Sequence, residues 1–132
     1  MRHFAIALLL ICTPALGAEI PEASLVHAVL GEARSTQCSD FERQAIACAT
    51  LNRGHLGGVY GAWANISKVR PKARARAVSA VKKARSGDIT KGATHWLSRW
   101  DLRHCRPSKI AWRKKMRVTL KTKHFTFYKE AR

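Results

Sequence analysis

The stretch Ser39-Asp40-Phe41-Glu42 does most to limit what this chain can fold into. A serine followed three residues later by glutamate is a capping box, in which two side chains satisfy backbone donors that the start of a helix leaves free. The helix it opens runs through Ala45, Cys48 and Ala49, read as sharing a face with Phe41, and "NRGHLGG" closes it with glycines. An apolar segment precedes it. Pro21 and Glu22 suit a first turn, and Leu25, Val26, Val29 and Leu30 form one stripe, so this earlier helix should stop between Gly31 and Ala33.

Downstream comes a glycine-rich loop, "GGVYGAWANIS". Pro71 then opens a third helix, with Ala73, Ala77, Val81 and Ala84 inward and lysines and arginines outward, as far as Gly87. "GATHWLS" suits a short strand around Thr94 and Trp96, and Pro107 and Ser108 precede a short helix in "KIAWRKKM". The alternating tail "VTLKTKHFTFYK" predicts a strand or hairpin. The expected fold class is α+β, mainly helical, with a small sheet or hairpin.

The first eighteen residues read differently. Arg2 and His3 precede an apolar run from Phe4 to Cys12, then Pro14 and the small residues of "ALGA", the pattern of a secretory signal peptide cut after Gly17 or Ala18. A retained anchor is the alternative. The run is short for a bilayer, and "LLIC" lacks the small residues expected before a lipoprotein cysteine. The domain is then residues 19–132, enough for one modest core, and the place of action is secreted, periplasmic or wall-associated.

Charge narrows the partners. The 132 residues carry 25 lysines and arginines against 8 acids, a formal net charge of +17, and the cations crowd from Lys68 onward. An exported cation of this kind is drawn to anionic wall polymers or membrane surfaces. Nucleic acid is not expected, because the export signal argues against it and the basic residues match no DNA-reading motif. Cleavage leaves Cys38, Cys48 and Cys105, of which Cys38 and Cys105 fall in expected loops and are the preferred disulfide pair. No Cys-x-x-Cys or His-x-x-x-His spacing supports zinc, so neither metal nor cofactor is expected, and the chain should be a monomer.

The chemistry turns on Glu32. At a helix C-terminus a carboxylate meets the negative end of the helix dipole, and the apolar neighbours in "AVLGEARS" desolvate it. Both effects favour the proton-bearing form that a glycosidase uses as its acid. A surface glutamate paired with Arg34 is the plain alternative.

"HAVLGEARS" followed by "FERQAIACATLNR" resembles the SleB-like cell wall hydrolases, whose domains carry a Gly-Glu-Ala motif and then a helix ending in Leu-Asn-Arg. "GDITKGATHW", "AWRKKM" and "FTFYK" resemble that family's later segments in the same order. The resemblance implies a lysozyme-like fold related to lytic transglycosylases, a peptidoglycan glycan strand as substrate, and Glu32 as catalytic residue. It departs at one place: Phe125 stands where the family has histidine, and His124 lies one residue earlier, so either the strand shifts register or that histidine's role is lost.

One carboxylate is enough for a lytic transglycosylase, whereas hydrolysis would recruit Asp40 or Asp101. Thr94 and His95 are candidates to bind the sugar or orient Glu32. Trp96, Tyr128 and Tyr60 are candidates to offer flat faces to sugars, with Trp63 after them. Trp112 is expected in the core, and Asn52 and Arg53 at the cleft wall. The rivals are a cationic wall-binding module without catalysis and, more remotely, a peptidase or amidase.

Overall fold

Ser39 accepts a hydrogen bond from the Glu42 N–H while the Glu42 carboxylate accepts one from the Ser39 N–H, so the capping box opens α2 (Asp40–Arg53) as read, and Gly54 at φ +79° ends it. The computed structural model describes residues 19–34 and 37–132. Before α2 lies α1 (Glu22–Glu32), closed by the Ala33 N–H on the Val29 carbonyl. After it lie a 3-10 helix (Tyr60–Trp63) and α3 (Pro71–Ser86). Next come β1 (His95–Ser98), α4 (Arg99–His104), a second 3-10 helix (Pro107–Lys115), β2 (Met116–Lys121) and β3 (Phe125–Glu130). The chain is thus α+β, with a three-stranded antiparallel sheet in the order β1-β3-β2.

The core has two parts, and β3 serves both. Leu25 and Val29 of α1, Ile46 of α2, Val81 of α3, and Phe125 and Phe127 of β3 belong to the larger cluster. Leu97, Ile110 and Tyr128 form the smaller one, with Trp112 and Met116 against it. Four successive residues of β3, Phe125 to Tyr128, are therefore buried, as happens only where both faces of a strand are covered. The helix α2 is buried almost all round from Glu42 to Thr50, yet Phe41, expected on its inner face, is 49% exposed. The α3 face is nearly as read, with Ala77, Ala80, Val81 and Ala84 buried and Ala73 partly so.

Glu42 does more than cap. Its carboxylate also accepts hydrogen bonds from the His124 N–H at 2.8 Å and the His124 ring at 3.0 Å, tying the β2–β3 turn to the start of α2. Burial alone would raise its pKa, but hydrogen bonds from His124, Ser39 and Thr122 outweigh it and hold the group at about 2, against an ordinary 4.5. A depressed carboxylate contributes stability above its unfolded pKa and loses it on the way down to its folded one. Stability should therefore fall between about pH 4.5 and pH 2, by roughly 3 kcal/mol from this group. Urea midpoints measured across that range should show the fall in the wild type and a flatter slope in Glu42→Gln; equal slopes would contradict it.

The expected signal peptide, residues 1–18, lies outside the described residues, and none of the helices described is long and apolar enough to cross a membrane.

Candidate active site

The helix α1 delivers Glu32 to its own C-terminal end, and the glycine-rich loop folds back over that end. A Cβ on Gly31 would lie 2.0 Å from the Gly61 carbonyl oxygen, and one on Gly61 would lie 2.5 Å from the Glu32 nitrogen. Two backbones can meet this closely only where both residues lack a side chain. The contact brings the Gly61 N–H to Glu32 Oε1 at 2.8 Å. His27 helps hold the loop down, its Nε2 donating to the Ala64 carbonyl at 2.7 Å.

The other carboxylate oxygen is held from the sheet. Trp96 of β1 donates its indole N–H to Glu32 Oε2 at 3.2 Å, and the Arg53 guanidinium lies 5.7 Å from the centroid of the same ring. Arg53 is itself fixed at the end of α2 by donating to the Gly57 carbonyl at 3.0 Å. Glu32, half-buried, thus sits with one fixed donor on each oxygen, in a cleft of about 770 Å3. Tyr60 and Gly58 of the loop line one part of it, His95 to Leu97 another, and Asp101, Cys105 and Trp112 a third.

The expected site residues divide. Glu32, Tyr60, His95 and Trp96 all line this cleft, and Tyr60 is 86% exposed. Trp96, read as a sugar platform, instead spends its N–H on Glu32 and has Arg53 against its ring. Thr94 lines an adjoining hollow, and its hydroxyl pairs with His95 Nδ1 at 2.9 Å rather than with Glu32. Burial and the Arg53 charge push the His95 pKa down, so its ring is neutral at pH 7.

Tyr128 is a correction. It is only 4% exposed, packed in the smaller core with its ring edge-on to Trp112 at 5.4 Å, because β3 is covered on both faces. It offers no free face to a ligand. Trp112, expected in the core, is partly buried against that smaller cluster, and it also lines the cleft beside His95. Trp63, 79% exposed, does not line the cleft. Asn52 serves structure, donating to Asp88 and to the Ala93 carbonyl at 2.9 Å each.

The disulfide is a second correction, since Cys38 and Cys105 are not bonded to each other. Cys38 packs in the larger core cluster and Cys105 against the smaller one, so the two lie in different surroundings.

Of the candidate second carboxylates, Asp40 lies outside the cleft, ion-paired to Arg76 at 2.7 Å, which holds its carboxyl below the ordinary range. Asp101 is in the cleft but is committed as the cap of α4. Its Oδ2 accepts from the Ser98 N–H at 3.0 Å and the Ser98 hydroxyl at 2.8 Å.

A metal-donor set exists that no sequence spacing announced. Cys38, Glu42 and His124 place donor atoms within 4.8 Å of one another. Both Glu42 oxygens there already accept backbone N–H groups and face the His124 ring, so the set is closed by its own hydrogen bonds. Gly61, whose N–H holds Glu32, is a site residue that the sequence did not reveal. Only its place in a glycine-rich loop could have pointed to it.

No protein-family model, curated protein or solved structure matches this chain.

Proposed function

We propose that this protein cleaves the glycan strand of peptidoglycan with Glu32 as its single acid/base, as a lytic transglycosylase of SleB-like, lysozyme-related type. One observation carries the reading: among the described residues, Glu32 is the one cleft carboxylate outside a helix cap, with each oxygen oriented by a fixed N–H. The ends of α1 and α2 and the start of β1 carry the residues quoted in the resemblance, Glu32, Arg53 and His95, and all three line this cleft.

The steps follow from that placement. Glu32 in its acid form gives its proton to the glycosidic oxygen as the bond to the muramoyl C1 breaks. The carboxylate left behind keeps the Gly61 and Trp96 N–H groups as its donors. It then takes the proton of the muramoyl 6-hydroxyl as that oxygen closes on C1, forming the 1,6-anhydro ring, and so returns to its acid form. No cofactor is called for. Tyr60 is the exposed aromatic of the cleft and the proposed sugar platform.

The proposal extends to export by residues 1–18 and to action as a monomer at the wall. The basic residues Lys72, Arg74, Lys82 and Lys83 on the exposed face of α3 would hold the enzyme against anionic polymer, without a nucleic-acid partner.

The test is release of soluble glycan from insoluble peptidoglycan by the purified protein. Release supports the reading, and adsorption without release would leave a wall-binding module in its place. Trp96→Phe keeps the ring and removes the N–H that orients Glu32. It should slow release roughly tenfold to a hundredfold with little change in thermal stability. An unchanged rate would take Trp96 out of the mechanism.

A further inference from the structure

Beside the Glu32 cleft lies a second hollow of about 510 Å3, and Arg53 and His95 line both. Its chemistry differs from that of the cleft. Arg53, Lys129 and Arg132 line it with His55, against one acid, Glu130. The ion pairs among the described residues are Arg43–Asp40, Arg76–Asp40, Arg85–Glu19 and His124–Glu42, so none of the three cations in the hollow is paired with a carboxylate.

Two of the basic groups are positioned rather than loose. The stem of Lys129 lies across Gly92, where a Cβ would come 3.0 Å from its Nζ and 3.3 Å from its Cδ. Gly92 has φ +84°, so the backbone too favours glycine there and leaves room for the lysine. Arg53 is fixed on the Gly57 carbonyl and against Trp96. His55 Nδ1 accepts the Gly57 N–H at 3.1 Å, which leaves Nε2 as the nitrogen able to donate outward.

Such a hollow fits a carboxylate, and its place says whose. In peptidoglycan the stem peptide hangs from the lactyl group of the muramoyl residue, the same sugar whose C1 reacts beside Glu32. A strand seated for cleavage must therefore lead its stem away from the cleft close to the acid. We propose that the Arg53–Lys129 hollow receives the carboxylates of the stem peptide, so that the enzyme selects glycan strands that keep their stems over stripped ones. The inference rests on the glycan-cleaving reading above and adds a substrate preference to it.

The experiment compares two substrates: peptidoglycan with its stem peptides, and the same material stripped by an N-acetylmuramoyl-L-alanine amidase. Wild type should cleave the intact strands with kcat/KM roughly tenfold higher, as one charge-assisted contact allows, and added salt should erode the advantage. Lys129→Met should bring the ratio close to one, and Lys129→Glu should bring it to one or below.

A wild type that treats both substrates alike overturns the proposal, as does a preference that neither Lys129 variant moves. A parallel measurement separates this failure from failure of the parent reading. Binding of soluble glycan fragments with and without stems to the Glu32→Gln variant should also differ roughly tenfold. Absence of cleavage by the wild type would end the catalytic reading, and equal binding of the two fragments would end the stem-peptide proposal on its own.

Discussion

Glu32→Gln should lower the release of soluble glycan about a thousandfold, the scale of a general acid–base contribution, while leaving the protein folded and wall-bound. Glutamine keeps the shape of the side chain but cannot donate and recover the proton. It also replaces one carboxylate oxygen with an NH2, so either the Gly61 or the Trp96 N–H would face a donor instead of an acceptor. That mismatch costs roughly 1 kcal/mol at a half-buried site, a small shift in melting temperature against a large loss of rate. A wall-binding module predicts the opposite pattern, with function intact in the variant. Activity within tenfold of wild type would remove Glu32 from its proposed role.

Gly61→Ala should be a severely damaging small substitution beside Glu32. The new methyl would lie 2.5 Å from the Glu32 nitrogen, 2.6 Å from the Ala28 carbonyl oxygen and 2.6 Å from Glu32 Cγ. Two of those three atoms are helix backbone and cannot turn aside, so the loop itself must lift. Lifting separates the Gly61 N–H from Glu32 and opens the packing that joins the loop to α1. The expected cost is about 3 kcal/mol in unfolding free energy, with loss of most activity even at temperatures where the variant stays folded. Chemical denaturation and release assays on the same preparation check both parts. An alanine variant of wild-type stability would show that the close approach of the two backbones does not hold in solution.

The sequence carried the helices further than it carried the site, and the residues show why. Helix boundaries are local: the Ser39–Glu42 box, Gly54, Pro71 and the end of α1 by Ala33 all act within a few residues, and all appear where the pattern put them. The same grammar was present and unread at Ser98 and Asp101, which cap α4, because that helix has only six residues and no apolar period to announce it. The hairpin was legible from its alternation.

The orientation of Tyr128 was not. Alternation assigns faces only when one side of a strand meets water, and β3 is buried on both sides. The two partners of Glu32 come from 29 and 64 residues away in the chain, Gly61 by backbone and Trp96 by indole N–H. No spacing rule relates such positions. The place of Glu32 at the end of α1 was legible because that signal is local, a lone carboxylate closing an apolar helix, whereas its candidate role came from the resemblance. Cys38 and Cys105 misled for the opposite reason, since expected loops gave no information on which core each would enter.

The central claim is that one carboxylate does the work, and the mass of the released fragments tests it most directly. Purified protein incubated with peptidoglycan should release fragments ending in 1,6-anhydromuramoyl residues, each lighter by one water than the corresponding reducing end. Fragments that carry reducing ends instead would mean that water attacks, that a second carboxylate such as Asp101 leaves its cap to serve the reaction, and that the single-acid account is wrong.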